Sequence, residues 1–326
     1  MKFSIIGFGK IGKIRYNMIK KVNPESYFYV FDPDITGNDD YLEEDMTIVP
    51  TVEEAMDAAE QVFICTPNFL NAKLTIQALK KGKNVFCEKP PALNYDELLE
   101  VEKVHNENKH LTLIYGFNHR QYDSIIKMKE IIDSEETGKI LWMRGRYGKA
   151  VGDPNTQGWR ADPKLSGGGI LLDQGIHMLD LMCYFGGGFD EVQSVITNNL
   201  WNIEGIEDNA FLNLYNSEKN ISASLHSTMI EWRHIFSLEV LLEKGYVALN
   251  GLKTPSGSYG KEVLTICDDK HNNSDISQYN TIEFKSNNTW EKEINFFFDS
   301  ITNNPHTNLP QALAVMKLIK EAYRGR

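Results

Sequence analysis

Cysteine and long apolar runs are both scarce in this sequence. The four cysteines, Cys65, Cys87, Cys183 and Cys267, lie far apart and form no CxxC pair. No stretch approaches the roughly 20 apolar residues of a membrane-spanning helix. The apolar run in MKFSIIGFGKIG is short and broken by glycines, which does not suit a signal peptide. We therefore expect a cytoplasmic protein whose cysteines are reduced and buried.

Basic residues are also in deficit. The chain has 34 Lys and Arg residues against 45 Asp and Glu residues, a formal net charge of −11. Because nucleic acids and anionic membranes both bind to basic surfaces, we expect neither as a partner. A length of 326 residues, with 41% hydrophobic and 24% charged residues, is typical of a globular protein with room for two domains.

The first 120 residues alternate short apolar runs with helical patterns. Strands are predicted at FSII, YFYVF, QVFICTP, NVFCEKP and LTLIYGF, and these runs are mostly apolar. Capping boxes at Thr51/Glu54 and Asn94/Glu97 predict where two of the intervening helices begin. Apolar strands separated by helices are typical of a parallel sheet that helices cover on both faces.

The pattern changes after Arg120. Runs such as EVQSVITNNLW, NAFLNLY, ISASLHSTM and FSLEVLLE alternate apolar and polar residues, which indicates an antiparallel sheet with one wet face. The polar stretch 267–289 predicts a loop that ends in a strand, and two helices close the chain. The predicted fold is an α/β domain over 1–120 and an α+β domain over 121–326 with an open, mostly antiparallel sheet. We expect the C-terminal helix to pack back on the first domain.

A glycine-rich turn follows the first predicted strand. It contains a GxGxxG pattern and opens a helix, in the segment Gly7-Phe8-Gly9-Lys10-Ile11-Gly12. One glycine suits a tight turn, one lets a pyrophosphate approach the backbone, and one lets helix and strand pack closely. The helix N-terminus would attract the phosphates. The spacing and context predict a dinucleotide site rather than a turn without a ligand.

An acidic residue ends the second predicted strand. Asp32 lies 20 residues after Gly12. A carboxylate there can accept hydrogen bonds from the ribose hydroxyls and would repel a 2′-phosphate, so NAD is favoured over NADP. NADP stays possible because Lys10, Lys13 and Arg15 lie near the turn.

Two polar loops follow buried strands and therefore open at the carboxyl edge of the predicted sheet. We expect both loops near the nicotinamide half of the cofactor. The residues predicted to contact it are Thr66, Pro67 and Asn68 in the first loop, and Glu88 and Lys89 in the second.

The segment SGGGILLDQGIHMLD places three ionisable residues in an apolar run. If residues 170–182 form a regular helix, Asp173, His177 and Asp180 lie on one narrow polar stripe. Glycines ahead of this helix suit close approach to another body, a cofactor or a substrate. The stripe also has two other interpretations. It could be a helix-stabilising pair, or a metal site, although no nearby His or Cys completes a ligand set.

Three of these residues suit hydride transfer from a carbinol carbon. His177 has the ordinary pKa of a base near neutrality, and Lys89 could hold the hydroxyl oxygen and relay its proton. Asp173 could orient the imidazole or accept a second substrate hydroxyl. No metal ligand is predicted.

The chain resembles the glucose–fructose oxidoreductase, inositol dehydrogenase and rhizopine-catabolism group (Gfo/Idh/MocA). The resemblance rests on Gly7–Gly12, Thr66-Pro67-Asn68, Glu88-Lys89-Pro90, Trp159-Arg160, and Gly167–Gly169 leading to Asp173, Gly175, His177 and Asp180. It implies an N-terminal Rossmann domain, catalysis by Lys89, Asp173 and His177, and a cis Lys89–Pro90 bond. It also implies a homodimer or homotetramer joined through the C-terminal sheet. Asn71 and Arg15 depart from the family pattern, in which histidine is common at both positions.

Polar residues near the predicted domain junction are candidate substrate contacts. They are Asn118, His119, Arg120, Tyr147, Trp159 and Arg160, with Trp232 and Arg233 as further candidates. The arginines would suit a nucleotide sugar or an acidic sugar.

The favoured function is an NAD(P)-dependent dehydrogenase acting on a hydroxyl of a sugar, cyclitol or nucleotide sugar. One alternative is an NAD-dependent glycoside hydrolase that oxidises C3 transiently. The other is an inactive dinucleotide-sensing regulator, against which the intact Lys89, Asp173 and His177 argue.

Overall fold

The computed structural model describes residues 1–35, 43–134, 136–151, 158–254, 257–267, 279–303 and 305–324. The chain divides into two compact units. Unit 1 comprises Met1–Asn118, Lys164–Gly167 and Thr289–Leu313, and unit 2 comprises His119–Pro163, Gly168–Asn288 and Ala314–Arg326. The first of the two closing helices therefore belongs to unit 1.

Unit 1 is built on a parallel sheet. Within the described residues its strands are β1 (Lys2–Ile6), β2 (Tyr27–Phe31), β3 (Met46–Ile48), β4 (Gln61–Ile64), β5 (Asn84–Cys87) and β6 (Leu113–Tyr115). They lie in the order β3-β2-β1-β4-β5-β6, with every pairing parallel. The order reverses between β1 and β4, and ligands of such sheets bind beside that reversal, at the carboxyl ends of the strands.

Helices connect these strands, and their starts follow from local sequence. They are α1 (Lys10–Val22), α2 (Val52–Ala58), α3 (Asn68–Lys80) and α4 (Tyr95–Glu107). Thr51 Oγ1 accepts the Glu54 N–H at 3.1 Å, and Asn94 Oδ1 accepts the Glu97 N–H at 3.0 Å. Both predicted caps are confirmed. Each is typically worth about 1 kcal/mol.

The core of unit 1 is completed by a helix from far along the chain. Phe63 on β4 and Phe86 on β5 stack at 5.1 Å between ring centroids. Phe297, on α8 (Thr289–Thr302), packs edge-on against both rings at 5.1 and 5.9 Å. A fully buried side chain of this kind contributes about 1.5–3 kcal/mol, so α8 stabilises the parallel sheet of unit 1.

Unit 2 contains the predicted open sheet. Within the described residues its eight strands lie in the order β16-β15-β12-β11-β7-β10-β9-β8. The β7–β10 pair is parallel and the other pairs are antiparallel. The strand bounds are β7 (Ile140–Ala150), β8 (Glu191–Thr197), β9 (Asn209–Asn216), β10 (Ile221–Thr228), β11 (Ile230–Leu242), β12 (Gly245–Asn250), β15 (Glu262–Cys267) and β16 (Asn280–Phe284). A small hairpin pairs β13 (Lys253–Thr254) with β14 (Gly257–Ser258).

Helices cover one face of this sheet. Besides α8, the helical elements described after β6 are a turn at Asn118–Gln121, α5 (Asp123–Ile132), a turn at Trp159–Ala161, α6 (Pro163–Ser166), a π turn at Leu171–Gly175, α7 (Ile176–Gly186) and α9 (Leu309–Tyr323). A Cβ on Gly145 of β7 would lie 2.7 Å from Met178 of α7, so glycine permits this close packing. The predicted strand after the polar stretch is confirmed as β16, and 268–278 lie outside the described residues. No helix in the described parts of the chain is long and apolar enough to cross a bilayer.

A buried ion cluster joins α1, α8 and the end of β5. Arg15 Nε donates to Glu88 Oε1 at 2.7 Å, and Arg15 Nη1 lies 2.9 Å from Glu293 Oε2. The guanidinium lies 4.3 Å from the ring centroids of both Phe86 and Trp290. Burial, with the Glu88 charge, raises the pKa of Glu293 to about 7 although Arg15 opposes the rise. One cation thus faces two carboxylates that cannot both ionise cheaply.

Glu293 makes the stability of unit 1 depend on pH. Its folded pKa lies above the ordinary value, so its proton stabilises the fold at low pH and this stability is lost as pH rises from about 4.5 to about 7. Between pH 5 and pH 8 we expect the Glu293 term to lower the unfolding free energy of the wild type by on the order of 2 to 3 kcal/mol. Glu293→Gln should lack this decrease. Urea unfolding at several pH values measures it.

The matched control is Glu291→Gln, on the same helix. Glu291 forms an exposed pair with Lys21, which is worth little. It should leave the pH dependence of the unfolding free energy unchanged. An equal pH dependence in Glu293→Gln and the wild type would contradict the account of this cluster.

Candidate active site

The glycine turn after β1 divides its tasks among three glycines. Gly7 has φ +87°, and a Cβ there would lie 2.6 Å from the carbonyl oxygen of Cys65. A Cβ on Gly12 would lie 2.2 Å from the carbonyl oxygen of Gly7. A Cβ on Gly9 would meet nothing within 4 Å. Gly7 and Gly12 therefore serve the turn and the packing, and Gly9 leaves space at the N-terminus of α1, where a phosphate group fits.

Asp32 lies beside this turn. Its Oδ2 accepts the Phe8 N–H at 2.6 Å and its Oδ1 accepts the Asp34 N–H at 2.9 Å. Each carboxylate oxygen has capacity for a further hydrogen bond, so the residue still suits a ribose hydroxyl. The Phe8 ring is buried against Tyr16, so only the Phe8 backbone faces the turn. Lys10 is exposed and Ile11 is half-buried.

The loops after β4 and β5 are joined by a residue that the sequence marked only as a departure from the family pattern. Asn71 is fully buried, and its Nδ2 donates to the Pro90 carbonyl oxygen at 2.8 Å. Thr66 Oγ1 donates to Asn71 Oδ1 at 2.9 Å. The Lys89–Pro90 bond is cis, as expected. Asn71 thus holds the loop that carries the half-buried Lys89.

Two of the predicted cofactor contacts already bond within unit 1. Asn68 Nδ2 donates to the Ser166 carbonyl oxygen at 2.8 Å. The Glu88 carboxylate turns toward Arg15, and a Cβ on Gly116 would lie 3.0 Å from Glu88 Oε2. Pro67, next to Asn68, immediately precedes α3. The loop backbone at these residues is therefore fixed by internal contacts.

Two glycines of the triple glycine, Gly168 and Gly169, approach other residues of unit 2 closely. A Cβ on Gly169 would lie 1.9 Å from the carbonyl oxygen of Glu207, and one on Gly168 would lie 2.2 Å from Tyr323 Oη. That these glycines also let a cofactor or substrate approach the backbone stays a prediction. Their small size serves a contact inside unit 2.

Glu207 holds this segment through its carboxylate. Oε2 accepts the Gly169 N–H at 2.8 Å, and Oε1 accepts the Leu171 N–H at 3.0 Å and the Tyr323 hydroxyl at 2.7 Å. Its main-chain oxygen accepts the Ile170 N–H at 3.0 Å. Sequence analysis missed Glu207, because it lies 38 residues from Gly169 and no local pattern connects the two.

The segment after the glycines is not one regular helix. Leu171–Gly175 is π-helical, and the α-helix α7 begins at Ile176. Asp173 is half-buried on the π turn, and His177 is buried on the first turn of α7. The prediction of one regular helix over residues 170–182 is therefore wrong, and the angular spacing of Asp173 relative to His177 and Asp180 differs from that of a regular α-helix. Single π turns inside helices are frequent at functional sites.

Asp180 and Arg120 form a pair apart from the proposed chemistry. Asp180 is fully buried and accepts from Arg120 Nε at 2.7 Å and Nη2 at 2.5 Å. Burial raises the pKa of Asp180, although Arg120 opposes the rise. Asp180 thus fixes the Arg120 guanidinium in a bidentate pair.

A second imidazole ring packs on His177 within unit 2. The His119 ring stacks on the His177 ring with 3.9 Å between centroids, and His119 Nε2 lies 3.1 Å from Tyr147 Oη. Burial raises the pKa of Tyr259 to about 12, and the Asp173 charge adds to the rise. The structure thus brings His119, Tyr147 and Asp173 into one region with His177.

The remaining predicted contacts are more exposed. Asn118 is half-buried, and the Arg160 guanidinium lies 4.1 Å from the centroid of the half-buried Trp159 ring. Trp232 is 82% exposed, and the Arg233 guanidinium lies 5.0 Å from the centroid of its ring.

The three predicted catalytic residues come from both units. Lys89 belongs to unit 1, and Asp173 and His177 belong to unit 2. Among the described residues, no group of three or more His, Cys, Asp and Glu side chains is placed to hold a metal ion.

Two family models match the chain. One, described as the oxidoreductase family with an NAD-binding Rossmann fold, matches residues 1–117. The other, the GFO/IDH/MocA C-terminal domain, matches residues 125–248. The open space at Gly9 and the carboxylate of Asp32 fit the dinucleotide that the first description names.

Similar proteins of known name cover parts of the chain. A levoglucosan dehydrogenase from Pseudarthrobacter phenanthrenivorans is 33% identical over 138 residues, 42% of this chain and 35% of its own length. A D-glucoside 3-dehydrogenase from Escherichia coli is 35% identical over 137 residues, 41% of this chain and 37% of its own length. The chain therefore matches little more than a third of the length of either relative.

The fold is shared more widely than the sequence. The crystal structure of a 3-ketoreductase from Actinomadura kijaniata with NADP and TDP-benzene superposes with a TM-score of 0.82 at 18% identity. The superposition covers 100% of this chain and 97% of that protein. At this identity the likeness establishes the architecture of the chain.

Proposed function

The chain belongs to the Gfo/Idh/MocA oxidoreductase family, and from this premise we propose that it is a dehydrogenase that transfers a hydride between a sugar hydroxyl carbon and NAD. The observation that carries the proposal is the segment of unit 2 on which a buried imidazole, His177, follows a carboxylate, Asp173, on a backbone held by Glu207. Lys89 stands at the end of β5, after a loop held by Asn71.

Each of the three residues has a distinct task in this proposal. When bound, NAD supplies a nicotinamide ring that takes up the hydride. His177 accepts the proton of the substrate hydroxyl, since an imidazole is a base near neutral pH. The Lys89 ammonium holds the oxygen that loses the proton, and Asp173 orients the substrate or the imidazole.

The reacting ring in this proposal is an uncharged sugar or cyclitol. Asp180 engages the Nε and Nη2 atoms of Arg120, which makes this guanidinium less available to a phosphate or carboxylate on that ring. The names of the two relatives, a levoglucosan dehydrogenase and a D-glucoside 3-dehydrogenase, support the same class. Arg160, stacked on Trp159 and exposed, suits a more distant anionic group of a nucleotide sugar.

The direct test is a panel of sugars, cyclitols and nucleotide sugars incubated with the purified protein and NAD. We expect NADH to appear with at least one of them. His177→Ala should slow that turnover by about 10²–10⁴, the usual contribution of a general base, while NAD binding stays unchanged. His110→Ala, at an exposed histidine, is the matched control and should leave turnover unchanged. Cleavage of an aryl glycoside without net NADH would contradict the dehydrogenase and favour the hydrolase, and an unaffected His177→Ala would contradict the role of the imidazole.

Asp32 should set the choice of cofactor. Asp32→Asn keeps an oxygen that can accept the Phe8 N–H, but it removes the charge that repels a 2′-phosphate. We expect the ratio of NADP to NAD affinity to rise about tenfold or more, which corresponds to about 1.4 kcal/mol. Calorimetric titration with each cofactor measures it. Asp34→Asn, at an exposed neighbour, is the control. An unchanged ratio in Asp32→Asn would remove Asp32 from the selection of NAD.

A second copy of the chain is the proposed partner, bound to the open face of the unit 2 sheet. Val195 is 63% exposed and Phe211 is 48% exposed, on paired strands, and the Phe211 ring stacks on His226 at 3.9 Å. A cleft of about 520 Å³ on the same face is lined by Trp142, Arg144, Gln193, Asn213 and Tyr215. Exposed apolar side chains in a polar surround are typical of a protein interface.

Light scattering should therefore give the mass of two or four chains. Phe211→Glu should lower that mass, because it buries a charge in the interface. Phe296→Glu, at an exposed phenylalanine of unit 1, should leave it unchanged. A wild-type protein with the mass of one chain would contradict this interface.

A further inference from the structure

Two buried histidines of unit 2 lie face to face. The rings of His119 and His177 are 3.9 Å apart at their centroids with an interplanar angle of 22°. Both residues are buried, with His119 4% exposed and His177 6% exposed. The mechanism proposed above uses His177 alone and leaves His119 without a task.

A neighbouring ion pair holds the same two segments together. His119 and Arg120 are adjacent in the turn Asn118–Gln121, while His177 and Asp180 lie about one turn apart on α7. The Arg120–Asp180 pair, with bonds of 2.7 and 2.5 Å, joins the turn to the helix beside the stacked rings. The stacking is therefore held from one side by a bidentate salt bridge.

A chain of contacts holds His119 from the other side. His119 Nε2 lies 3.1 Å from Tyr147 Oη, and the Tyr147 ring packs edge-on against the Tyr259 ring with 5.3 Å between centroids. Gln174, on the π turn, donates from Nε2 to Tyr259 Oη at 2.9 Å. These contacts run from His119, which stacks on His177, to Gln174, which follows Asp173 in the chain.

We propose that His119 is a positioning residue for the reaction: it fixes the ring of His177, and the two stacked imidazoles hold one proton between them, because a charge on either ring repels a proton on the other. The proposal rests on the proposed function for its catalytic meaning, and on the stacked geometry for the shared proton. Two unit charges at this separation repel strongly in a buried site, so the second proton should bind about 2 to 3 pH units below the first.

The other groups facing the pair in unit 2 do not supply a second positive charge. Tyr122 and Tyr147 face His119 with ring centroids at 5.6 and 5.5 Å, and the apolar Phe236 lies at 6.2 Å. Burial keeps the pKa of Tyr147 well above its ordinary value, so this hydroxyl stays protonated. Arg120 and Asp180 cancel each other. Asp173 and His234 both act on Tyr259: the Asp173 charge adds to the rise of its pKa, and the His234 ring lies 5.2 Å from its ring between centroids.

The shared proton has a consequence for catalysis. His177 takes the substrate proton readily only while His119 is neutral, because the charge of a protonated His119 repels a second proton on the stacked ring. The pair therefore titrates with apparent pKa values that belong to both rings. The acid limb of kcat/KM against pH should report the pair rather than His177 alone.

Proton uptake by the pair is measured by NMR of the full chain labelled with 15N-histidine, without substrate or NAD. Between about pH 5 and 8.5, we expect the wild-type pair to take up one proton in total. In His119→Phe only His177 of the pair can still bind a proton, and in His177→Phe only His119 can. In both variants the phenyl ring keeps a stacking partner for the remaining imidazole. Each variant should take up one proton as well. His110→Phe, at the exposed control position, should leave the pair unchanged.

Uptake of two protons or none by the wild-type pair in this range would overturn the proposal. Uptake by only one of the two single variants would overturn it too, because then one ring never carries the proton. His119→Gln, which keeps a bonding group for Tyr147, should match His119→Phe and covers a folding failure of that variant. The titration needs no turnover. It can therefore contradict the shared proton without contradicting the dehydrogenase activity, and a failed activity assay leaves the titration result valid.

The catalytic meaning is read from kcat/KM against pH. With a substrate identified by NADH formation, His119→Gln should shift the acid limb and change kcat more than KM. An unshifted acid limb would overturn the positioning role.

Discussion

Glu207 supports the segment that carries the proposed base. A helix leaves its first N–H groups without internal partners, and here a buried carboxylate and a main-chain oxygen accept those of Gly169, Ile170 and Leu171. Each buried N–H left without an acceptor would cost about 1–3 kcal/mol. The contact also requires glycine at 169, because any Cβ there would overlap Glu207. The positions of Asp173 and His177 depend on this contact.

In unit 1, too, buried polar side chains fix the backbone of the segments that carry candidate site residues. The loops after β4 and β5 carry the candidate cofactor contacts and Lys89, and buried polar side chains join them to their surroundings. Asn71 connects the two loops through Thr66 and Pro90, and Arg15 holds Glu88. The amide and the guanidinium each supply several hydrogen bonds with fixed geometry, which suits a positioning task.

Local signals in the sequence predicted the elements of the fold, and non-local contacts were beyond them. The caps at Thr51 and Asn94 were predictable because cap and helix lie within four residues. The doubly wound sheet followed from apolar strands alternating with helices, and the family models confirm the identification made from short motifs. Glu207, the π turn and the His119–His177 stack arise from tertiary packing across long stretches of chain. The Asp173, His177 and Asp180 pattern was read as one stripe, but Asp180 serves Arg120.

The central claim is that Lys89, Asp173 and His177 act together on one substrate oxygen beside the nicotinamide ring. A crystal structure of the protein with NADH bound tests it most directly. The account predicts that Lys89 Nζ and a ring nitrogen of His177 both lie within hydrogen-bonding reach of a single oxygen position next to nicotinamide C4. A bound nicotinamide with His177 and Lys89 directed to different spaces would contradict it.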